Sequence, residues 1–72
     1  MVIIELKAGK ATPPAVDQIL AYMGAAGDTE NRPIRGILVA EGFHQKVVHA
    51  AKAIPNLELV TYSFQFTFNH LQ

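Results

Sequence analysis

The sequence predicts an α/β fold in which strands and helices alternate, in the order β-α-β-α-β, with a last strand that can divide in two near Ser63. Three observations support this prediction. Residues 2–6 form an apolar run, apolar residues with helical spacing follow, and a second apolar run occupies residues 37–40. A strand, a helix and a second parallel strand form a right-handed crossover unit. We therefore expect a small mixed sheet that carries two helices.

The first predicted strand combines charged and apolar side chains. Glu5 and Lys7 are two residues apart, so a strand places both on one face. The opposite face is uniformly apolar and is formed by Val2, Ile4 and Leu6. We expect a buried strand, in which desolvating the two ions costs several kcal/mol each. The charges indicate either a functional site or a partly exposed ion pair on an edge strand, and such pairs contribute little to stability.

The first helix is predicted from its N-terminal signals and its apolar spacing. Thr12 is a suitable N-cap, and Pro13 is favoured in the first turn. Four apolar residues then follow with the spacing of an amphipathic helix, namely Val16, Ile19, Leu20 and Met23. Gln18 and Tyr22 lie four residues apart on one flank and can act together, or they can simply cover the rim of the core. The glycines of segment 24–27 are expected to end the helix.

The second helix is expected to begin at Glu41 and Gly42 and to end before Pro55. Its apolar positions are Phe43, Val47, Ala50 and Ile54. Glu41 would lie near the positive end of the helix dipole, where a carboxylate is favourable. The interior strand before it, residues 34–40, is apolar on both faces, as is typical of a central parallel strand.

Residues 57–68 are predicted to form one strand or two short ones. Polar and apolar residues alternate from Val60 onward, as in a half-buried strand. Three phenylalanines share the apolar face, namely Phe64, Phe66 and Phe68. Burying each contributes about 1.5–3 kcal/mol. We therefore expect this strand to form the interface of a homodimer or higher homo-oligomer, which completes the fold.

Composition limits the possible classes of function. The 72 residues form a single domain, residues 1–72, and a domain of this size buries only about 60% of its unfolded surface. The chain has no cysteine, so disulfides and thiolate metal sites are excluded, which is compatible with the cytoplasmic location that we expect. The formal net charge is zero, so any contact with nucleic acid must be local. No apolar stretch reaches the length of a membrane helix, so we expect no membrane association.

Two short polar motifs lie on consecutive predicted elements, the first strand and the first helix. Glu5, Leu6 and Lys7 form an E-x-K tripeptide at the end of a strand, and Gln18 and Tyr22 form a Q-x-x-x-Y motif on the next helix. In this combination the chain resembles the PD-(D/E)XK nuclease superfamily in its RecB-like branch. Its segments VIIELK, QILAYM, RGILVA and ELVTY are most similar to the nuclease domain of NucS endonucleases. The resemblance implies a restriction-endonuclease-like half domain.

The resemblance also implies a Mg²⁺-dependent endonuclease that hydrolyses DNA phosphodiesters, with Mn²⁺ as an alternative ion. Glu5 and the backbone carbonyl of Leu6 would bind the ion, since hard cations prefer oxygen ligands. Lys7 would position the attacking water or stabilise the transition state. A lysine suits this role because it is a compact point charge.

Further residues would contact the substrate. By the same resemblance, Gln18 and Tyr22 would be catalytic residues that hydrogen-bond the phosphate or orient the site. Lys10 and Arg35 are expected contacts to the DNA backbone.

The family carries one more metal-binding aspartate, on a hairpin before the E-x-K strand. Residues 1–4 contain no carboxylate, and later elements carry the other candidate acidic residues, namely Asp17, Asp28, Glu30 and Glu41. We therefore expect a truncated form whose metal site is incomplete in cis and is completed by a second subunit or by the substrate. The alternative function is a catalytically inactive, nuclease-derived module that assembles into oligomers or binds DNA.

Overall fold

The described part of the chain is a small α/β arrangement with two helices. The computed structural model describes residues 1–65 and 67–69. Its elements in chain order are β1 (Val2–Leu6), β2 (Lys10–Ala11), α1 (Pro13–Thr29), β3 (Arg35–Ala40), β4 (Gly42–Phe43), α2 (Gln45–Lys52) and β5 (Leu57–Thr61). The alternation of strands and helices expected from the sequence is therefore present, with two additional short strands.

Three strands form the main sheet in the order β1-β3-β5, with β3 at the centre. Both pairings are parallel, and so is the separate pairing of β2 with β4. We expected a mixed sheet, but every pair among the described strands is parallel. The C-terminal segment, predicted to be a strand to residue 68, leaves the sheet after Thr61 in its described residues.

Both helices lie on the same face of the sheet. Helix α1 contacts β1 and β3, α2 contacts β5, and the two helices contact each other. This follows from the strand order, because two successive crossovers in the same direction and of the same hand leave their helices on one side. The core lies between sheet and helices, and its largest fully buried side chains are Ile19, Leu38 and Val47.

The face of β1 that lies against the helices is the opposite of the one we expected. Ile3, Glu5 and Lys7 are only partly exposed, whereas Ile4 and Leu6 are each 65% exposed. The expectation of a buried apolar face on this strand was therefore wrong. With no helix on the other side of the sheet, that face has no described element packed against it.

Helix α1 continues beyond the glycines that were expected to end it. It extends to Thr29, and the backbone N–H of Glu30 donates to the carbonyl of Ala26 at its end. Gly24 and Gly27 lie in open space on the helix surface. A glycine inside a helix costs about 1 kcal/mol, which the contacts of the buried Met23 can offset.

The second helix begins later than we expected. Residues 42–43 form β4, and the N–H groups of Glu41 and His44 donate to the carbonyls of Gly9 and Ala11. These bonds hold the backbone extended, so Glu41 is not at the helix end. His44 is the N-cap instead, and its Nδ1 accepts from the N–H of Lys46 at 3.0 Å.

The aromatic C-terminal segment is not a strand in its described parts. Strand β5 ends at Thr61, and residues 62–65 and 67–69 have no regular structure. Phe64 and Phe68 are 72% and 93% exposed, and Phe66 lies outside the described residues. An extended segment needs a neighbouring strand to pair its backbone groups, and residues 63–65 and 67–69 pair with none.

Among the described helices, none is long and apolar enough to cross a membrane.

Candidate functional site

The candidate site lies where β1 ends. Glu5 and Lys7 project from the sheet face that α1 covers, because strand residues two apart share a face. Gln18 and Tyr22 lie one helical turn apart on the flank of α1 that passes over this end of the strand. The fold thus brings the E-x-K strand and the Q-x-x-x-Y helix into contact.

The four side chains of the two motifs form one continuous chain of polar contacts. The Lys7 ammonium lies 3.4 Å from Oε1 of Glu5 and donates a hydrogen bond of 2.5 Å to Oε1 of Gln18. The amide nitrogen of Gln18 in turn donates to the hydroxyl of Tyr22 at 3.4 Å. An ammonium carries three donors and no acceptor, so Lys7 can hold both oxygens and still offer a third N–H. Lys7 is therefore the centre of the cluster.

The cluster is partly open to solvent. The side chain of Glu5 is 20% exposed and that of Lys7 is 32% exposed, while Gln18 and Tyr22 are exposed residues. The cost of complete desolvation that the sequence suggested is therefore largely avoided. A substrate can reach the Lys7 ammonium without a change of fold.

Tyr62 belongs to this site, although it was not predicted from the sequence. Its hydroxyl donates to the backbone carbonyl of Lys7 at 3.2 Å, and the two residues are 55 positions apart. Only the parallel register of the three strands brings them together. No local motif marks this contact, so the sequence alone offers no signal for it.

A cavity of about 190 Å³ lies beside the cluster. Its polar lining comes from Lys7, Lys10, Thr12 and Gln18. Lys10 thus lies beside Lys7 and Gln18 at this cavity. The hydroxyl of Thr12 makes no capping hydrogen bond, and the prolines that begin α1 lack N–H groups. Anion binding in this cavity would depend on side chains rather than on helix amides.

The expected metal ligands can be located on β1. The N–H of Lys7 donates to Val39 of β3, and backbone groups alternate sides along a strand. The carbonyl of Leu6 therefore points to the free edge of the sheet, where no described strand is paired with it. Glu5 adds one carboxylate, and within residues 1–65 and 67–69 no three acidic, histidine or cysteine residues form a metal-binding group.

Arg35 is not part of the cluster. It begins β3, is paired with Val2, and lines a separate cavity with Asn56 and Glu58. Val2 and Lys7 lie at opposite ends of β1, about 17 Å apart at 3.3 Å per residue. Arg35 and the cluster would thus have to contact different parts of a long ligand.

The fold and the site together define a small α/β protein with a lysine-centred polar cluster at the end of its first strand. Comparisons of the chain with family models, with curated proteins and with solved structures found no match.

Proposed function

We propose that this chain is a minimal NucS/RecB-like nuclease-fold protein that hydrolyses DNA phosphodiesters with Mg²⁺ or Mn²⁺. One observation carries the proposal, namely the continuous contact chain through Glu5, Lys7, Gln18 and Tyr22. Helix α1 packs on β1, and this packing places the polar residues of the two motifs side by side.

Lys7 has the properties that phosphodiester hydrolysis requires of a cation. Its ammonium is held by an oxygen on either side and remains accessible. From this position it favours the hydroxide form of an attacking water and offsets the charge that develops on the phosphate. Gln18 and Tyr22 act as positioning residues, since Tyr22 contacts Gln18 and Gln18 contacts the ammonium.

The adjacent cavity accommodates a phosphate group. Lys10 supplies a second positive charge beside Lys7, and the Thr12 hydroxyl is available as a donor. Phosphate contacts from lysines position a nucleic acid without reading its sequence. Contacts in this cavity would therefore hold the DNA of the proposed reaction without base specificity.

The candidate ligands on β1 are oxygen atoms, which hard divalent cations prefer. Glu5 offers a carboxylate and Leu6 a carbonyl, and Mg²⁺ is commonly bound by one or two carboxylates together with waters and substrate phosphates. When bound, the ion would polarise the phosphate and lower the pKa of a bound water. The phosphate itself would have to supply part of the coordination shell.

The proposal is tested by incubating the purified chain with plasmid and single-stranded DNA in Mg²⁺, Mn²⁺ or EDTA. We expect cleavage with either ion, none in EDTA, and a loss of at least 100-fold in Glu5→Gln and in Lys7→Gln. Asp28→Asn is the matched control, because Asp28 is an exposed carboxylate at the far end of α1. If the wild-type chain cuts neither DNA, or if Glu5→Gln cuts as fast as the control, the enzymatic proposal fails.

A catalytically inactive DNA-binding module is the second candidate. It is favoured by the single carboxylate of the cluster, because most two-ion nuclease chemistry needs more acidic ligands. In this case fluorescence anisotropy would show DNA binding without cleavage. Lys10→Gln would weaken binding and reduce its salt dependence, whereas Lys52→Gln, an exposed lysine on α2, would leave it unchanged. Equal binding by Lys10→Gln and the wild type would exclude this candidate.

A further inference from the structure

The main sheet has one open face. Both helices cover the other side, and no described element packs against this one. Its exposed apolar side chains are Val2 (44%), Ile4 (65%), Leu6 (65%) and Val60 (36%). Ile37 and Val39 of the central strand are partly buried and connect these residues into a continuous patch. The exposed Glu58 of β5 is in register with Ile37 and lies on the same face, at the edge of the sheet.

The patch is large for a chain of this size. From their exposed fractions, these side chains together present on the order of 400 Å² of apolar surface. Contiguous patches of this size on monomers are often functional. They mark a surface that another layer covers, since sheets that carry apolar residues on both faces are covered on both.

The ends of the open face carry opposite charges. Arg35 begins the central strand β3, and Glu41 follows directly after its last residue. Arg35 has the same strand parity as Ile37 and Val39, and Glu41 lines a cavity with Tyr62 at the other end of the sheet. Six residues of strand separate the two charges by about 20 Å. Among the described residues, neither has an ion-pair partner within 4.0 Å.

We propose that a second copy of this chain covers the open face. The two sheets pack face to face about a two-fold axis, with their central strands antiparallel. In this arrangement Arg35 of each copy approaches Glu41 of the other, so the same charge pair forms twice. The net charge of zero means that the two copies do not repel each other overall. This interface is distinct from the phenylalanine segment that the sequence suggested.

The small area of the open face indicates a weak dimer. A stable interface typically buries about 800 Å² on each partner, and the open face supplies roughly half of that. The dimer is therefore weak, with a dissociation constant in the micromolar range. Glu5 and Lys7 lie on the covered face, so the interface does not include them. Arg35 is the one residue shared by the proposed interface and the expected contact to DNA.

The charge pattern allows a mixing experiment with sedimentation velocity, without DNA or metal. Arg35→Glu alone places two acidic groups against each other in both pairs, and Glu41→Arg alone places two basic groups together. We expect each variant to be monomeric at concentrations where the wild type is at least half dimer. An equimolar mixture of the two variants should restore the dimer, because both pairs in the heterodimer are then attractive.

Matched reversals elsewhere on the surface are the controls. Lys52→Glu and Asp28→Lys change exposed charges away from the open face and should dimerise like the wild type. Ile4→Glu, at the centre of β1, should abolish the dimer while circular dichroism shows an unchanged fold. A wild-type chain that stays monomeric into the millimolar range overturns the proposal. So does a dimer that survives Ile4→Glu, or a variant mixture that stays monomeric.

Discussion

The hydroxyl of Tyr62 and the backbone carbonyl of Lys7 are joined by a hydrogen bond of 3.2 Å that passes over the end of the central strand. Lys7 follows β1 and Tyr62 follows β5, and these strands lie on either side of β3. Two strand spacings separate them by about 10 Å, a distance that a tyrosine side chain can largely span. Tyr62 thus fixes the backbone from which the Lys7 ammonium projects.

Removing this hydroxyl should destabilise the protein measurably. We expect Tyr62→Phe to lower the free energy of unfolding by about 0.5–1.5 kcal/mol, the net contribution of a typical hydrogen bond. Urea denaturation followed by circular dichroism measures this change. Tyr22→Phe is the control, because Tyr22 is 48% exposed and its contact with Gln18 is long, and we expect a loss below about 0.5 kcal/mol. Equal losses in both variants would mean that the Tyr62 bond is absent in solution.

The ion pair between Lys7 and Glu5 should contribute little to stability. Both side chains are partly exposed, so a double-mutant cycle with Glu5→Gln and Lys7→Gln should give a coupling energy of about 0.2–1 kcal/mol that decreases with added salt. The pair between Arg32 and Glu30, at 3.5 Å and with Arg32 70% exposed, is the comparison and should give a coupling near zero. A coupling of about 3 kcal/mol or more at Lys7 would indicate a desolvated pair instead.

Much of the architecture follows from local signals in the sequence. The apolar spacing of α1 and the proline in its first turn place that helix within one residue of its observed start. The apolar run of residues 37–40 correctly indicates the central parallel strand. The contact between Gln18 and Lys7 follows from the same signals, since a strand and the helix of a crossover unit pack together.

The orientation of β1 could not be predicted in the same way. Side-chain alternation separates Val2, Ile4 and Leu6 from the charged pair, but it does not say which set the helices cover. The strand order puts both helices on one side of the sheet, and the register of β1 with β3 turns Glu5 and Lys7 toward that side. The covered face tolerates the charges because they reach solvent at the end of the sheet. Hydrophobicity alone favoured the wrong face.

The small size of Gly36 is required by the packing of α1 on the sheet. A Cβ at this position would lie 2.5 Å from Sδ of Met23 and 3.2 Å from Cδ1 of Ile19. We expect Gly36→Ala to destabilise the domain by about 1–3 kcal/mol, as overpacking does. Gly24→Ala is the matched control and should stabilise by about 0.5–1 kcal/mol, since a Cβ there meets no atom within 4 Å. Thermal and urea denaturation of both variants measure the difference, and the same sign in both would contradict the packing of α1 against β3.

Two isoleucines distinguish the covered face of the sheet from the open one. Ile19 of α1 is completely buried and Ile4 of β1 is 65% exposed. We expect Ile19→Ala to cost about 2–5 kcal/mol through lost burial and a cavity, a large share of the roughly 4–10 kcal/mol available to a chain of this length. Ile4→Ala should change the unfolding free energy by less than about 0.5 kcal/mol when the protein is monomeric.

Urea denaturation at nanomolar and at high micromolar concentration separates folding from association. Ile4→Ala should be nearly neutral at the low concentration and destabilising at the high one, because binding of a second copy stabilises the folded state by mass action. Ile19→Ala should be equally destabilising at both. A large loss in Ile4→Ala at nanomolar concentration would show that this face is covered within the single chain.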